Sequence, residues 1–167
     1  TFDASIGQGF TLATPLQMAL VMSEAANGGK KYRPYLVKDI IAPDGTVIKH
    51  FDPVVERDLN IDPSVISLVQ EGLHEVSTVG TAAAMFKDFP VPIAGKTGTA
   101  ENSHGREHGW FVAYGPFDNP NIAVAVIVEN AGYGATSAVP IGYKILSAAF
   151  GLDKPKTPEN QPAPAQQ

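Results

Sequence analysis

Apolar residues recur along this chain with two different periods, and the switches between them mark out the elements. From Thr14 to about Asn27 the spacing is helical. Thr14-Pro15-Leu16-Gln17 has capping-box form with proline at the first helical position, Leu16, Ala19, Leu20 and Ser23 fall along one side, and Gly28-Gly29 supplies the stop. Residues 35–50 read as two strands joined through Pro43-Asp44-Gly45, a hairpin signal. Asp62-Pro63 opens a second helix, with Ile66, Val69, Leu73 and Val76 at helical spacing, and an Ala-rich helical turn follows over Thr81 to Phe86.

The period then drops to two. Strands are expected at residues 92–100, 109–116 and 121–129, the last two joined by the turn Phe117-Asp118-Asn119-Pro120-Asn121. Short turns require antiparallel pairing. In the third strand Ile122, Val124, Val126 and Val128 face one way, and Ala123, Ala125 and Ile127 the other. A strand apolar on both faces must be covered on both. The pattern therefore predicts an α/β (α+β) fold, an antiparallel sheet flanked by helices on both faces. Ser137 is placed to cap a final helix that runs to Phe150 and stops at Gly151.

The chain has 167 residues, 44% of them hydrophobic, enough for one good core. One compact unit is expected over residues 1–152, and a Pro/Ala/Gln tail without core-forming residues, expected to be disordered, over 153–167. A net charge of -5 with no basic stripe argues against a nucleic-acid partner, and the cluster Lys30, Lys31 and Arg33 is explained by a solvated loop. The absence of cysteine excludes disulfides and thiolate metal sites. No apolar run approaches the length of a membrane span, and the start at Thr1-Phe2-Asp3-Ala4 reads as a segment of a longer protein, with any anchor upstream.

Chemistry concentrates in Ile93-Ala94-Gly95-Lys96-Thr97-Gly98-Thr99-Ala100-Glu101, which puts a lysine, two hydroxyls and two glycines on one extended segment. Gly95-Lys96-Thr97 shares its letters with the end of a phosphate-binding P-loop, but the glycine required five places earlier is Pro90, and Pro92 lacks the N–H that a phosphate would need. The bland reading is a glycine-bearing strand end with a solvated lysine. K-T-G is also one of three motifs of serine acyl-transferases, alongside S-x-x-K and S-x-N. No serine here is followed by lysine at the third place: Ser5 meets Gln8, Ser64 meets Ser67 and Ser103 meets Arg106. Nor does any serine begin S-x-N; Ser103-His104-Gly105 fails at its third position.

The order Gly7-Gln8-Gly9, Thr14-Pro15-Leu16-Gln17-Met18-Ala19, Ala26-Asn27-Gly28-Gly29, Gly95-Lys96-Thr97-Gly98-Thr99-Ala100, Trp110-Phe111-Val112-Ala113-Tyr114 and Val128-Glu129-Asn130 resembles the C-terminal half of a class B penicillin-binding protein transpeptidase domain, of the elongation type, over residues 1–150. The resemblance implies a β-lactamase/transpeptidase-like fold and peptidoglycan cross-linking by a serine acylated by a D-Ala-D-Ala stem peptide, with β-lactams acylating the same serine. It implies that this piece lacks the nucleophile and is inactive by itself. Lys96 would assist proton transfer beside the S-x-N serine. Thr97 and Thr99 would offer hydroxyls to a substrate or β-lactam carboxylate, and the Thr99 N–H would serve the oxyanion hole. Gly98 would keep the strand's approach open, so that substrate binding falls to Lys96, Thr97, Gly98 and Thr99, with Lys96 and Thr99 catalytic. No cofactor and no metal are implied. The expected partners are the stem peptide, β-lactams, the upstream part of the same protein and the cell-wall elongation machinery, at the extracytoplasmic face of the cell membrane. The alternative is a non-catalytic penicillin-binding, sensor or scaffold module.

Around this strand the expectations are modest. Asn102, His104 and His108 lie on a loop at the cleft rim; the two histidines are four apart, but a loop does not make that spacing converge on a metal. Trp110 reads as a core or cleft-edge aromatic, Gly95 as a packing glycine, Gly7-Gln8-Gly9 as a structural segment and Tyr133 as part of a turn flanking the site.

Overall fold

The computed structural model describes residues 2–153. The tail expected over residues 153–167 lies, from Lys154 onward, outside the described residues. A short helix α1 (Phe2–Ser5) leads into α2 (Pro15–Ala26). Four short strands follow, β1 (Lys30–Tyr32), β2 (Asp39–Ile41), β3 (Val47–His50) and β4 (Val55–Asp58). Then come α3 (Pro63–Thr78) and α4 (Ala83–Phe86), the strands β5 (Ala94–Ala100), β6 (His108–Gly115) and β7 (Ile122–Val128), and α5 (Gly134–Ala149).

β5, β6 and β7 form one antiparallel sheet in the order β5-β6-β7. Its two faces are both buried, as the doubly apolar β7 requires. Ile93, Phe111, Ala113 and Val126 pack with Ala82, Phe86 and Leu146 beneath α4 and α5. Ala94, Val112 and Tyr114 pack on the opposite face with Met22, joined by Met18 and Leu73. Ile122, Val124 and Val128 join the first cluster, Ala123 and Ala125 the second, so the alternation along β7 is the one its sequence predicts. Helix α5 lies close to the sheet because Gly142 sits over Phe111, where a Cβ would collide with the ring. The Tyr114 hydroxyl is buried without a hydrogen-bond partner among the described residues, and burial pushes its pKa up to about 12.

The capping box at Thr14 forms in full: Gln17 N–H donates to Thr14 Oγ1 at 3.2 Å and Thr14 N–H to Gln17 Oε1 at 2.8 Å. Its helix, however, turns a different stripe inward. Met18, Met22 and Ala26, spaced by four, meet the sheet, whereas Leu16 is 59% exposed. Asp62 caps α3: the Ser64 hydroxyl and the Ser64 N–H donate to its Oδ1 at 2.6 and 2.8 Å, and these two hydrogen bonds hold its carboxyl below the usual carboxylate range. On α3, Val69 of the expected apolar stripe is left exposed, while His74 and Ser77 turn inward to the carbonyl of Ile93 at 2.7 and 2.8 Å.

Two expectations need correcting further. Helix α5 begins at Gly134 and not at Ser137; the Ser137 hydroxyl instead donates to Tyr133 C=O at 2.9 Å from inside the first turn. Lys30 and Lys31 lie in β1, which pairs with β4, and not in a loop. Lys31 and Arg33 reach Glu56 at 3.3 and 3.5 Å. β1 and β4 are too short and too charged to register as strands by alternation. The hairpin β2–β3 forms as predicted, with Thr46 N–H donating to Asp44 Oδ1 at 2.9 Å across its turn.

Candidate active site

β5 is an edge strand: among the described residues it pairs with β6 and with no strand on its other side. In an antiparallel strand the N–H and C=O of one residue point the same way, and successive residues point oppositely. Gln8 reaches the outer edge by donating its Nε2–H to Thr99 C=O at 3.1 Å and accepting Glu101 N–H at 3.2 Å. Thr99 therefore presents its backbone outward, and by alternation so do Thr97 and Gly95. The edge is covered at one end by His74 and Ser77 on Ile93 C=O and at the other by Gln8. Thr97, Gly98 and Thr99 line a cleft of about 610 Å³; with the Thr97 carbonyl taken by Lys96 Nζ and the Thr99 carbonyl by Gln8, what this stretch offers at its edge is the outward N–H groups of Thr97 and Thr99.

The side chains of β5 divide by face. Lys96 and Gly98 share a face with their register partners Val112 and Trp110, and all four line the cleft. A Cβ on Gly98 would press on Trp110 Cβ at 3.2 Å, so the glycine leaves that wall open. Lys96 is exposed, donates to Thr97 C=O at 2.8 Å and has no carboxylate partner among the described residues. Thr97 and Thr99 turn toward the helices. Thr97 Oγ1 lies 2.7 Å from Thr81 Oγ1, and Gly134 N–H, at the start of α5, approaches Thr99 Oγ1 at 3.5 Å. A side chain at Gly134 would run into the carbonyls of Gly98 and Trp110, so glycine is what lets the helix start this close to β5. Gly95 serves packing, since a Cβ there would lie 2.8 Å from Val112 C=O.

Arranged this way, the strand can do two things: its edge can pair an extended peptide, and its cation and hydroxyls can receive an anion. The rim residues knit the neighbouring loops. Asn102 Nδ2 donates to Asn130 Oδ1 at 2.6 Å, and Asn130 N–H donates to His108 Nδ1 at 2.9 Å, which leaves His108 no free lone pair on that nitrogen for a metal. His104 pairs locally with Ser103 at 2.8 Å, and Tyr133 stands 68% exposed beside the α5 start. The sequence places Lys96, Thr97, Gly98 and Thr99 together and leaves Trp110 as a core or cleft-edge aromatic; the tryptophan lines the cleft. Sequence reasoning missed Thr81 and the reach of Gln8, which depend on contacts between residues 16 and 91 positions apart.

An antiparallel sheet covered by helices on both faces, with an edge strand carrying Lys-Thr-Gly-Thr, is the arrangement of the β-lactamase/transpeptidase-like fold. The chain belongs to the penicillin-binding protein transpeptidase domain family, whose pattern matches residues 1–147. It is 35% identical over 187 aligned positions to the peptidoglycan D,D-transpeptidase MrdA of Haemophilus influenzae, covering 100% of this chain and 28% of that protein. It superimposes with a TM-score of 0.79 and 35% identity on penicillin-binding protein A of M. tuberculosis in its ceftriaxone acyl-enzyme complex, covering 89% of this chain and 35% of that one. A peptidoglycan synthase complex that coordinates polymerization and crosslinking also matches, with a TM-score of 0.78, 37% identity and coverage of 94% of this chain and 26% of that one. The chain thus spans about a third or less of the length of these relatives.

Proposed function

We propose that this chain is the C-terminal, substrate-holding part of a peptidoglycan D,D-transpeptidase that cross-links stem peptides and is acylated by β-lactams. The observation that carries the reading is the outer edge of β5, whose Thr97 and Thr99 N–H groups point to a cleft that Lys96 also lines, while the Thr99 carbonyl is held by Gln8. An extended stem peptide pairs with this edge as an added strand, its terminal carboxylate lying at the Thr97 and Thr99 hydroxyls. In the complete enzyme a serine supplied from outside this sequence attacks the penultimate D-Ala carbonyl. The ester forms as the C–N bond to the terminal D-Ala breaks, and that amine departs with the proton. Attack by an amine of a neighbouring strand then frees the serine. The Thr99 N–H points to the edge where the developing oxyanion sits, one of two donors there; losing one such donor costs about 3 kcal/mol. Lys96, which has no carboxylate partner among the described residues, stands ready to assist the proton transfer.

The working place of such a protein is the extracytoplasmic face of the cell membrane, beside the elongation machinery. No described helix is long and apolar enough to cross a membrane. Because no serine here has its activating lysine, the isolated chain is inert toward β-lactams. Intact-mass spectrometry after incubation with benzylpenicillin checks this: the full-length protein gains one penicilloyl adduct and the isolated chain gains none. A stoichiometric serine adduct on the isolated chain would overturn the division of labour.

A further inference from the structure

Thr81 stands outside the Lys-Thr-Gly-Thr run, yet its hydroxyl lies 2.7 Å from that of Thr97. Its position is fixed on both sides. Gly80 closes against α3, where a Cβ would lie 2.8 Å from Val76 Cα, and Ala82 is buried in the core with its N–H donated to Val76 C=O at 2.9 Å. Such a clamped turn holds the exposed Thr81 beside Thr97 of β5. Nothing about Thr81 in the sequence, a polar residue opening an Ala-rich turn, signals this.

A threonine hydroxyl has one proton to give and lone pairs to receive. If Thr97 gives its proton to Thr81, it faces the cleft as an acceptor and repels an anion. If Thr81 is the donor, the Thr97 proton is released to the cleft. A carboxylate accepts hydrogen bonds and cannot donate them, so its arrival selects the second arrangement. Thr99 has the same design, with Gly134 N–H approaching its oxygen from behind and leaving its proton free.

We propose that Thr81 is a positioning residue for anion recognition: it donates to Thr97 Oγ1 and so directs the Thr97 proton at the carboxylate of the donor peptide or β-lactam. The chain Thr81 O–H to Thr97 O–H to carboxylate makes Thr81 a determinant of specificity for donors that end in a free carboxylate, without touching them. This rests on the function proposed above.

The test uses the full-length protein and two probes, benzylpenicillin and its methyl ester, which differ in the carboxylate. Thr81→Val keeps the side-chain shape and removes the hydroxyl. It should lower the second-order acylation rate with benzylpenicillin about three- to tenfold, the scale of one hydrogen bond. It should leave the rate with the methyl ester within about twofold of wild type. Thr81→Ser, which restores the hydroxyl, should recover the benzylpenicillin rate, and Thr81→Val should add nothing once Thr97 is already Val, because it acts through that residue. An equal loss with both probes, failure of Thr81→Ser to recover, or additive effects with Thr97→Val would show a purely structural role and overturn the inference. A wild-type protein that benzylpenicillin does not acylate would instead sink the proposed function itself.

Discussion

β7 and the β2–β3 hairpin are written in the same alphabet of branched residues, yet they meet opposite fates. In β7 the sequence Ile122-Ala123-Val124-Ala125-Val126-Ile127-Val128 is sandwiched between α5 and α2, and Val126 is 7% exposed. In the hairpin Ile40, Ile41, Val47 and Ile48 are 43, 59, 54 and 67% exposed. Branched side chains make both segments extended, because they suit a pleated backbone. Burial is decided elsewhere, by the helices that the chain lays over one sheet and not over the other. The site follows the burial. β5 is hydrogen-bonded to β6 along its whole length and backed by α3 and α5, so its edge is held still for a ligand.

The difference has energetic consequences that mutation can test. Phe111 is fully buried at the centre of the sheet, stacked on Phe86 at 5.6 Å between ring centroids and pressed by α5 at Gly142. Phe111→Ala should cost about 3–5 kcal/mol of unfolding free energy, read from urea midpoints at unchanged slope. A loss below about 1 kcal/mol would mean that the sheet is not the stability core. At the other extreme, Ile48→Ser in the hairpin should move stability by no more than about 0.5 kcal/mol in the same experiment. A loss near that of Phe111→Ala would show that the hairpin is buried against something, and the contrast between the two regions would collapse.

Long periodic segments were legible in the sequence and long-range polar contacts were not. The three strands, their antiparallel order and the double covering of β7 follow from period-two alternation, short turns and apolar residues on both faces. The capping box at Thr14 and the Asp62 cap follow from local side-chain-to-backbone geometry, which needs only three or four residues. β1 and β4 escaped because Lys30, Lys31, Glu56, Arg57 and Asp58 conceal strands that pair through backbone and charge. The inward stripe of α2 was misassigned because its apolar residues leave several faces open, and the sheet selected Met18 and Met22. At the site, the Lys96 to Thr99 run announced itself by residue type. Gln8 and Thr81 did not, since what matters about them is the atom they reach across the fold.

In the proposed function Lys96-Thr97-Gly98-Thr99 forms the substrate wall of an acyl-transferring cleft. The most direct test is the benzylpenicillin acylation rate of the full-length protein carrying Lys96→Ala or Thr99→Val, with folding verified by thermal denaturation. Lys96→Ala should slow acylation by about 10²-fold or more, the scale of a lost proton-transfer contribution. Thr99→Val keeps the backbone N–H and removes one hydroxyl, so it should weaken carboxylate recognition by about 1.5–3 kcal/mol. If both variants fold as wild type and acylate at the wild-type rate, the wall lies elsewhere and the account is wrong.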